Sequence, residues 1–418
     1  MRQRPDRRRT CGNLPSELSR FVGRGAELAE VGRLLEASRL VTVTGVGGVG
    51  KSRLALAVAK EAAGAAQERH CDGVWLAELS CVRDPALLEL TLAESLGLTD
   101  HTTRPPRTVL AEHLAERRLL LVLDGFEQLV DETAELVREL LLRSPGLHVL
   151  AAGRRPLDLR GERTFPLAPP GPDEALELLA DRAADADPGF AVTGANRDVL
   201  VELCARLDGI PLALELAAGR LRSLSPEQVL ARLEDRFALL TGAARGVLPR
   251  HRALRTAIGW SHELCTARER LLWARLSVFA GHFDLDAAEY VCAGPDLPVG
   301  SVLDVLGELL AQSLLAREET AAGDPPDGVG GRVRYRMLET VRAYGAGWLE
   351  SRGGAPPGRA PGGAGPRRGA PPAGGGGGGP AAPRGAGEPP GRPGAPGVSV
   401  RPGRPRPLRH RGRAPGSR

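Results

Sequence analysis

Lysine is almost missing from this chain: of 56 basic residues only Lys51 and Lys60 are lysine. Aromatic residues make up 3%, while glycine (54) and proline (35) are abundant. Arginine standing for lysine almost everywhere is the bias of very GC-rich coding, so arginine content by itself argues poorly for a nucleic-acid partner. The six cysteines (Cys11, Cys71, Cys81, Cys204, Cys265, Cys292) are scattered, with no C-x-x-C and no Cys/His spacing that suits zinc. They read as reduced, mostly structural thiols. No apolar run reaches the roughly 18 residues of a membrane span. The opening MRQRPDRRRT has no hydrophobic segment behind it to make a signal peptide. A cytoplasmic protein without membrane association is expected. What is present is globular composition: 42% apolar and 26% charged residues over 418 positions, room for two or three domains.

Charge divides the chain. Residues 353–418 hold twelve arginines against one acid, Glu388, a net +11 that leaves the preceding 352 residues at −6. With almost no apolar side chain larger than alanine, the segment from 351 to 418 cannot bury enough surface to offset its ordering entropy, and disorder is expected. Two origins stand open: a genuine basic tail that binds nucleic acid or membrane, or a GC-rich coding sequence read in a shifted frame.

Before the tail, short apolar runs alternate with helical periods. Strands are expected at Leu40 to Thr44, Val74 to Leu79, Leu119 to Leu123 and Leu147 to Ala151, with a helix from about Lys51 to Ala65. Strands separated by helices imply crossover connections and a parallel sheet covered on both faces. After about residue 170 amphipathic helices dominate. From His251 more helices lead into two extended pieces, Leu314 to Arg317 and Val333 to Met337, as in a winged helix whose tip would be AAGDPPDGVGG. The expected organisation is α/β: a basic arm (1–13), a P-loop NTPase domain (14–168), a helical domain (169–245), a winged-helix domain (246–350) and the tail.

One of the two lysines sits in TGVGGVGKSRLALAVA. Gly45 to Ser52 fits G-x-x-x-x-G-K-[ST] between an expected strand and an expected helix, the context that motif requires. Glycines let backbone N–H groups curl around a phosphate, the helix start adds partial positive charge, Lys51 reaches the β- and γ-phosphates, and the Ser52 hydroxyl ligates Mg²⁺. Gly45, Gly47, Gly48, Val49, Gly50, Lys51, Ser52 and the adjoining Arg53 form the expected nucleotide-binding set. Asp124 follows five apolar residues in RRLLLVLDGFEQL, with Glu127 three positions on. An Asp there can simply cap the next helix, but about 70 residues after a phosphate loop it reads as the second magnesium ligand. Glu127 is the candidate for polarising an attacking water. Arg154, at the end of LHVLAAGRRPL, is either a solvated turn or a γ-phosphate sensor. Pro211 by itself marks a helix start.

The order FVGR, TGVGGVGKSRLALAVA, LLLVLDGFEQL, HVLAAGRRPL, DGIPLALELAAGRL, LRTAIGWSHEL, LSVFAGHFDLDAAEYVC and YRMLETVRAYG resembles the STAND class of signalling ATPases. It is most similar to bacterial transcriptional regulators of the LuxR and antibiotic-regulator type, and more distantly to NB-ARC proteins. The resemblance implies that Val22 and Arg24 line the adenine side, that Asp124 is the Walker B acid, that Arg154 is the sensor, and that Pro211 packs near the base. It also implies that Met337-Leu338-Glu339 closes over bound ADP, with Leu338 where relatives carry histidine. Two further departures stand out: Asp124-Gly125-Phe126-Glu127 where the family has D-N-C-E, and Ala152-Gly153-Arg154-Arg155 where it has T-S-R-E.

The expected function is an ATP/ADP-binding, Mg²⁺-dependent switch of a transcriptional regulator, with slow or no hydrolysis. Homo-oligomers or protein partners would form on activation. Neither sensor repeats nor a separate DNA-binding output domain is legible, so direct DNA contact is not expected. The competing readings are a DNA-binding protein acting through winged helix and Arg-rich tail, and a small-molecule kinase, for which no lid or acceptor site is legible.

Overall fold

The computed structural model describes residues 12–65, 69–98, 104–233, 239–240, 254–319 and 333–351. The basic arm up to residue 11, the expected wing tip and the Arg-rich tail lie outside the described residues.

Helix α1 (Gly25–Ala37) leads into β1 (Leu40–Thr44), α2 (Lys51–Ala65), β2 (Val74–Glu78), α3 (Pro85–Ser95), α4 (Pro106–Leu114), β3 (Leu119–Asp124), α5 (Val130–Arg143), β4 (Leu147–Ala152) and β5 (Arg163–Pro166). The five strands make one parallel sheet in the order β2-β3-β4-β1-β5. Alternate residues of each strand feed opposite faces: Val41, Val43, Leu120, Val122 and Leu150 join α1 and α2, while Leu119, Leu121, Leu123, Val149 and Ala151 join α3, α4 and α5. Burial on both faces is why β3 reads as an unbroken apolar run and β1 as a short run rich in β-branched residues. The four expected strands are present within a residue or two. β5 was not legible: RTFP is a largely exposed edge strand without a hydrophobic pattern. On the opposite edge, Gly12 bridges Val74, and the Asn13 side chain both donates to Leu76 O and accepts from Leu76 N, occupying backbone groups that would otherwise be open to another chain.

Helices α6 (Pro172–Ala186), α7 (Arg197–Arg206), α8 (Pro211–Leu221) and α9 (Pro226–Ala231) follow, three of them opened by proline, whose missing N–H costs nothing in a first turn. Then come α10 (Leu254–Leu264), α11 (Ala267–Leu276), β6 (His282–Phe283), α12 (Leu285–Cys292), α13 (Val299–Ala311), β7 (Ala316–Glu319), β8 (Val333–Arg336) and α14 (Glu339–Ser351). Strands β6-β8-β7 form an antiparallel sheet, so helix, strand, two helices and hairpin succeed one another as a winged helix requires. β7 begins two residues later than the sequence suggests. Ser313, at φ 57, closes α13, and the Leu314 N–H turns back to Leu309 O before the chain can extend. The buried thiols of Cys204, Cys265 and Cys292 are pushed up to about 12 by burial, which fits structural cysteines.

At the end of the sheet where β4 begins, His70 and His148 meet edge to face with centroids 5.0 Å apart. Burial, helped by the charges of His148, Arg69 and Arg118, holds His70 down at about 4, and His148 is lowered as well, chiefly by burial. The folded chain therefore refuses a proton that the unfolded chain accepts near 6.5. The associated stability is fully present above pH 6.5 and is lost as pH falls from there toward 4. Between pH 7 and pH 5 the His70 contribution is about 2 kcal/mol. Urea unfolding at the two pH values should show a loss that shrinks by about that amount in His70→Leu; an unchanged pH dependence in that variant would assign the acid sensitivity elsewhere.

Candidate functional site

Sheet order builds the site. Because β4 lies between β1 and β3, the carboxyl ends of these three strands bring the glycine loop, Asp124 and Arg154 to one edge, where open α/β sheets bind ligands. The loop has backbone forms that L side chains rarely take, with Gly48 at φ 85 and Gly50 at φ 101. Gly47 lies in a tight spot: a Cβ there would lie 3.1 Å from Ala257 O and 3.2 Å from Arg154 Nη2. The ammonium of Lys51 is buried and lies across the loop, donating to Gly45 O at 2.8 Å and Val46 O at 3.1 Å.

Ser52 Oγ donates to Asp124 Oδ1 at 2.6 Å, joining the first residues of α2 to the end of β3. A hydroxyl and a carboxylate side by side beside a phosphate loop are hard oxygen donors, few in number. That suits Mg²⁺, which keeps waters and takes the rest of its shell from phosphates. Among the described residues no group of three or more His, Cys, Asp or Glu could hold a metal without such help.

Arg154 is buried; its Nη2 donates to Ala257 O at 3.3 Å and its Nε lies 3.8 Å from Glu127 Oε1. The sensor candidate and the candidate water-polarising acid thus face each other across the cleft. The backbone at Arg154 also reaches the winged-helix region: Ser313 Oγ donates to Arg154 O at 2.9 Å, and Arg155 Nη2 is 3.7 Å from Glu308 Oε2 on α13.

Two adjoining clefts meet here. One is lined by Lys51, Ser52, Asp124, Glu127 and Arg154 together with Ala257 and Trp260 of α10. The other is lined by Phe21, Val22, Arg24, Val49, Leu54 and Leu178 among others. Gly50, Arg53, Pro211 and Glu215 border both. Pro211 opens α8 against the loop, where Leu212 N donates to Gly48 O at 3.2 Å. Arg24 is near the second cleft, but its guanidinium is occupied by Glu27, Ala168 O and Val49 O, so it braces the loop from behind. Arg53 is held by Glu215, Ser19 O and Arg20 O.

Sequence reasoning missed three contributions. Trp260, with the Arg83 guanidinium 5.8 Å from its ring centroid, comes from a helix that reads as ordinary amphipathic packing. Glu215 looks like one more exposed helical acid. Asp208, in the left-handed conformation (φ 55), accepts hydrogen bonds from Glu339 N (2.9 Å), Thr340 N (2.7 Å) and Thr340 Oγ1 (2.6 Å). It caps α14 from 131 residues upstream. Met337, Leu338 and Glu339 line neither cleft; Met337 is buried and Leu338 packs against the core. The tie at this point runs through Asp208, and α10 supplies the wall.

The two departures beside the site are one packing event. A Cβ on Gly153 would lie 2.5 Å from the ring of Phe126, which is 1% exposed, so no larger residue fits at 153 while phenylalanine fills 126. Gly153→Ser should cost about 1–3 kcal/mol by overpacking, and almost nothing in a Phe126→Cys background. Chemical denaturation of the four proteins measures this; an equal cost in both backgrounds would show that the positions are independent.

With this geometry, comparison with known proteins becomes specific. A family of AAA ATPase domains matches residues 20–151, and a family of winged helix-turn-helix domains matches residues 266–350. The chain is 38% identical over 340 residues to the uncharacterised protein Rv0894 of Mycobacterium tuberculosis, which covers 81% of this chain and 83% of that protein. This chain belongs to the Rv0894 family. It is also 43% identical over 312 residues to a provisionally named HTH-type transcriptional regulator, Rv0890c of M. tuberculosis, covering 74% of this chain but 34% of the relative. It therefore spans about a third of that relative's length. Among solved structures, a Walker-type ATPase of Pyrococcus abyssi has the same fold, with a TM-score of 0.53 at 17% identity over 80% of this chain and 99% of that one. The chain is thus an AAA ATPase domain followed by a winged helix, and no described helix is long and apolar enough to cross a membrane.

Proposed function

We propose that the protein is an ATP/ADP-binding, Mg²⁺-dependent switch of STAND type within a transcriptional regulator. The observation that carries this reading is the Ser52–Asp124 contact beside the glycine loop, with Arg154 tied to Ala257 on the far side. Ser52 and Asp124 would hold the Mg²⁺, which neutralises phosphate charge when bound. Lys51 exchanges its loop carbonyls for phosphate oxygens. Val22 and Pro211 border the cleft on the base side.

Arg154 makes the site state-dependent. A γ-phosphate offers it a charged acceptor stronger than a neutral carbonyl, so ATP draws the guanidinium from Ala257 and loosens the Ser313 and Arg155–Glu308 contacts nearby. ADP leaves these ties in place. Hydrolysis is slow because Glu127 faces Arg154, and glycine at 153 removes a hydroxyl donor beside the sensor. Activation then proceeds through protein partners or self-association of the loosened form. The expectation that direct DNA contact is absent is corrected by the match of residues 266–350 to winged helix-turn-helix domains, which supports DNA contact through this region; contact through α13 would have to accommodate the two acids, Asp304 and Glu308, among its exposed residues.

Isothermal titration with Mg·ATP and ADP tests the assignment. Asp124→Ala should weaken Mg·ATP at least about tenfold more than ADP, and Arg154→Ala should likewise shift the preference. Unchanged ATP-to-ADP ratios in both variants would overturn γ-phosphate sensing.

A further inference from the structure

The geometry points to Glu215 as the side chain that reads the ribose of the bound nucleotide. This rests on the nucleotide reading above and adds to it a specificity determinant.

A nucleotide has its sugar between base and phosphates. Here the phosphate cleft and its neighbour share four residues, Gly50, Arg53, Pro211 and Glu215. Gly50 has no side chain and Pro211 no donor. Arg53 can donate but is already spread over Glu215, Ser19 O and Arg20 O. Glu215 is the one acceptor side chain at this junction. A carboxylate there suits a pair of neighbouring hydroxyls, each of which must donate, and ill suits phosphates, which carry the same sign. Acidic side chains recognise the ribose 2′-OH in the same manner in dinucleotide-binding folds.

The carboxylate is also held for this task. It stands one turn into α8, whose first turn is fixed to the loop by Leu212 N to Gly48 O. Two guanidinium contacts end on the same oxygen: Arg53 Nη1 to Oε1 at 3.3 Å and Arg182 Nε to Oε1 at 3.1 Å. Oε2 takes no hydrogen bond from the described residues, and the side chain keeps 36% of its surface open. Arg182 is itself buried and anchored by its Nη2 to Arg20 O at 2.7 Å, so the carboxylate is oriented from behind. An ion-pair hub alone would explain Oε1 but not the position at the junction.

Titration of the full chain with Mg·ATP, 2′-deoxy-ATP and 3′-deoxy-ATP tests this. The wild type should bind ATP about tenfold tighter than either deoxy analogue, because a site built around a hydroxyl rejects a ligand lacking it. Glu215→Ala should lower ATP affinity to the level of the deoxy forms while moving those by less than about twofold. Glu215→Gln, which still accepts one hydrogen bond, should fall between. If Glu215→Ala weakens all three ligands equally and preserves the ratio, the residue is a structural ion-pair hub and the assignment is overturned. If the wild type does not discriminate, the assignment is overturned while nucleotide binding stands. No binding of any of the three would overturn both.

Discussion

Lys51→Ala should lower affinity for ATP and ADP by at least about a hundredfold. The ammonium is buried against Gly45 O and Val46 O, at the position from which it can exchange carbonyls for phosphate oxygens without rearranging the loop. The only other lysine cannot substitute, because Lys60 is paired with Glu17 at 2.8 Å further along α2. Charge-assisted hydrogen bonds from a desolvated cation to phosphate contribute about 3 kcal/mol, which is the hundredfold. Lys51→Arg should fail nearly as badly, since a planar guanidinium does not fit a cradle shaped for a point charge. Titration calorimetry at fixed Mg²⁺ measures both. Wild-type affinity in Lys51→Ala, with its melting temperature intact, would reduce the loop to a turn.

Asp208→Ala carries the second large effect. Three hydrogen bonds converge on one carboxylate, two of them from backbone N–H groups at the start of α14 that would otherwise lack acceptors. Their loss should destabilise the attachment of α14 by about 2–4 kcal/mol, combining a missing cap with charge-assisted hydrogen bonds. Exchange of the Glu339, Thr340 and Val341 amides should accelerate by tens of fold or more, while amides of β1 and β3 keep their protection. Asp208→Asn should fall between, since asparagine accepts similar hydrogen bonds and tolerates the left-handed backbone at φ 55. Unchanged exchange at residues 339–341 in Asp208→Ala would mean that α14 is held by packing alone.

Much of the ATPase half was legible because its signals are local. A parallel sheet buried on both faces writes itself as short apolar runs, and a phosphate loop as glycines before Lys-Ser, so β1 to β4, Lys51, Ser52 and Asp124 could be read in order. What escaped depends on residues far apart in sequence. Asp208 precedes a glycine and reads as a helix end; its partners are about 131 positions away. Phe126 and Gly153 look like two independent departures, and only their contact shows that the ring excludes a side chain opposite. β5 carries no hydrophobic pattern because it lies at an exposed edge. In the Met337-Leu338-Glu339 stretch, the contact that sequence could not show is the Glu339 N–H donated to Asp208, from 131 positions upstream.

The coupling of nucleotide to winged helix is tested most directly by amide exchange across residues 254–264 and 299–313, compared between protein saturated with ADP and protein saturated with Mg²⁺ and a non-hydrolysable ATP analogue. Faster exchange is expected in both segments with the ATP analogue, and loss of that difference in Arg154→Ala. Superimposable exchange in the two nucleotide states, with both nucleotides shown to be bound, would contradict it.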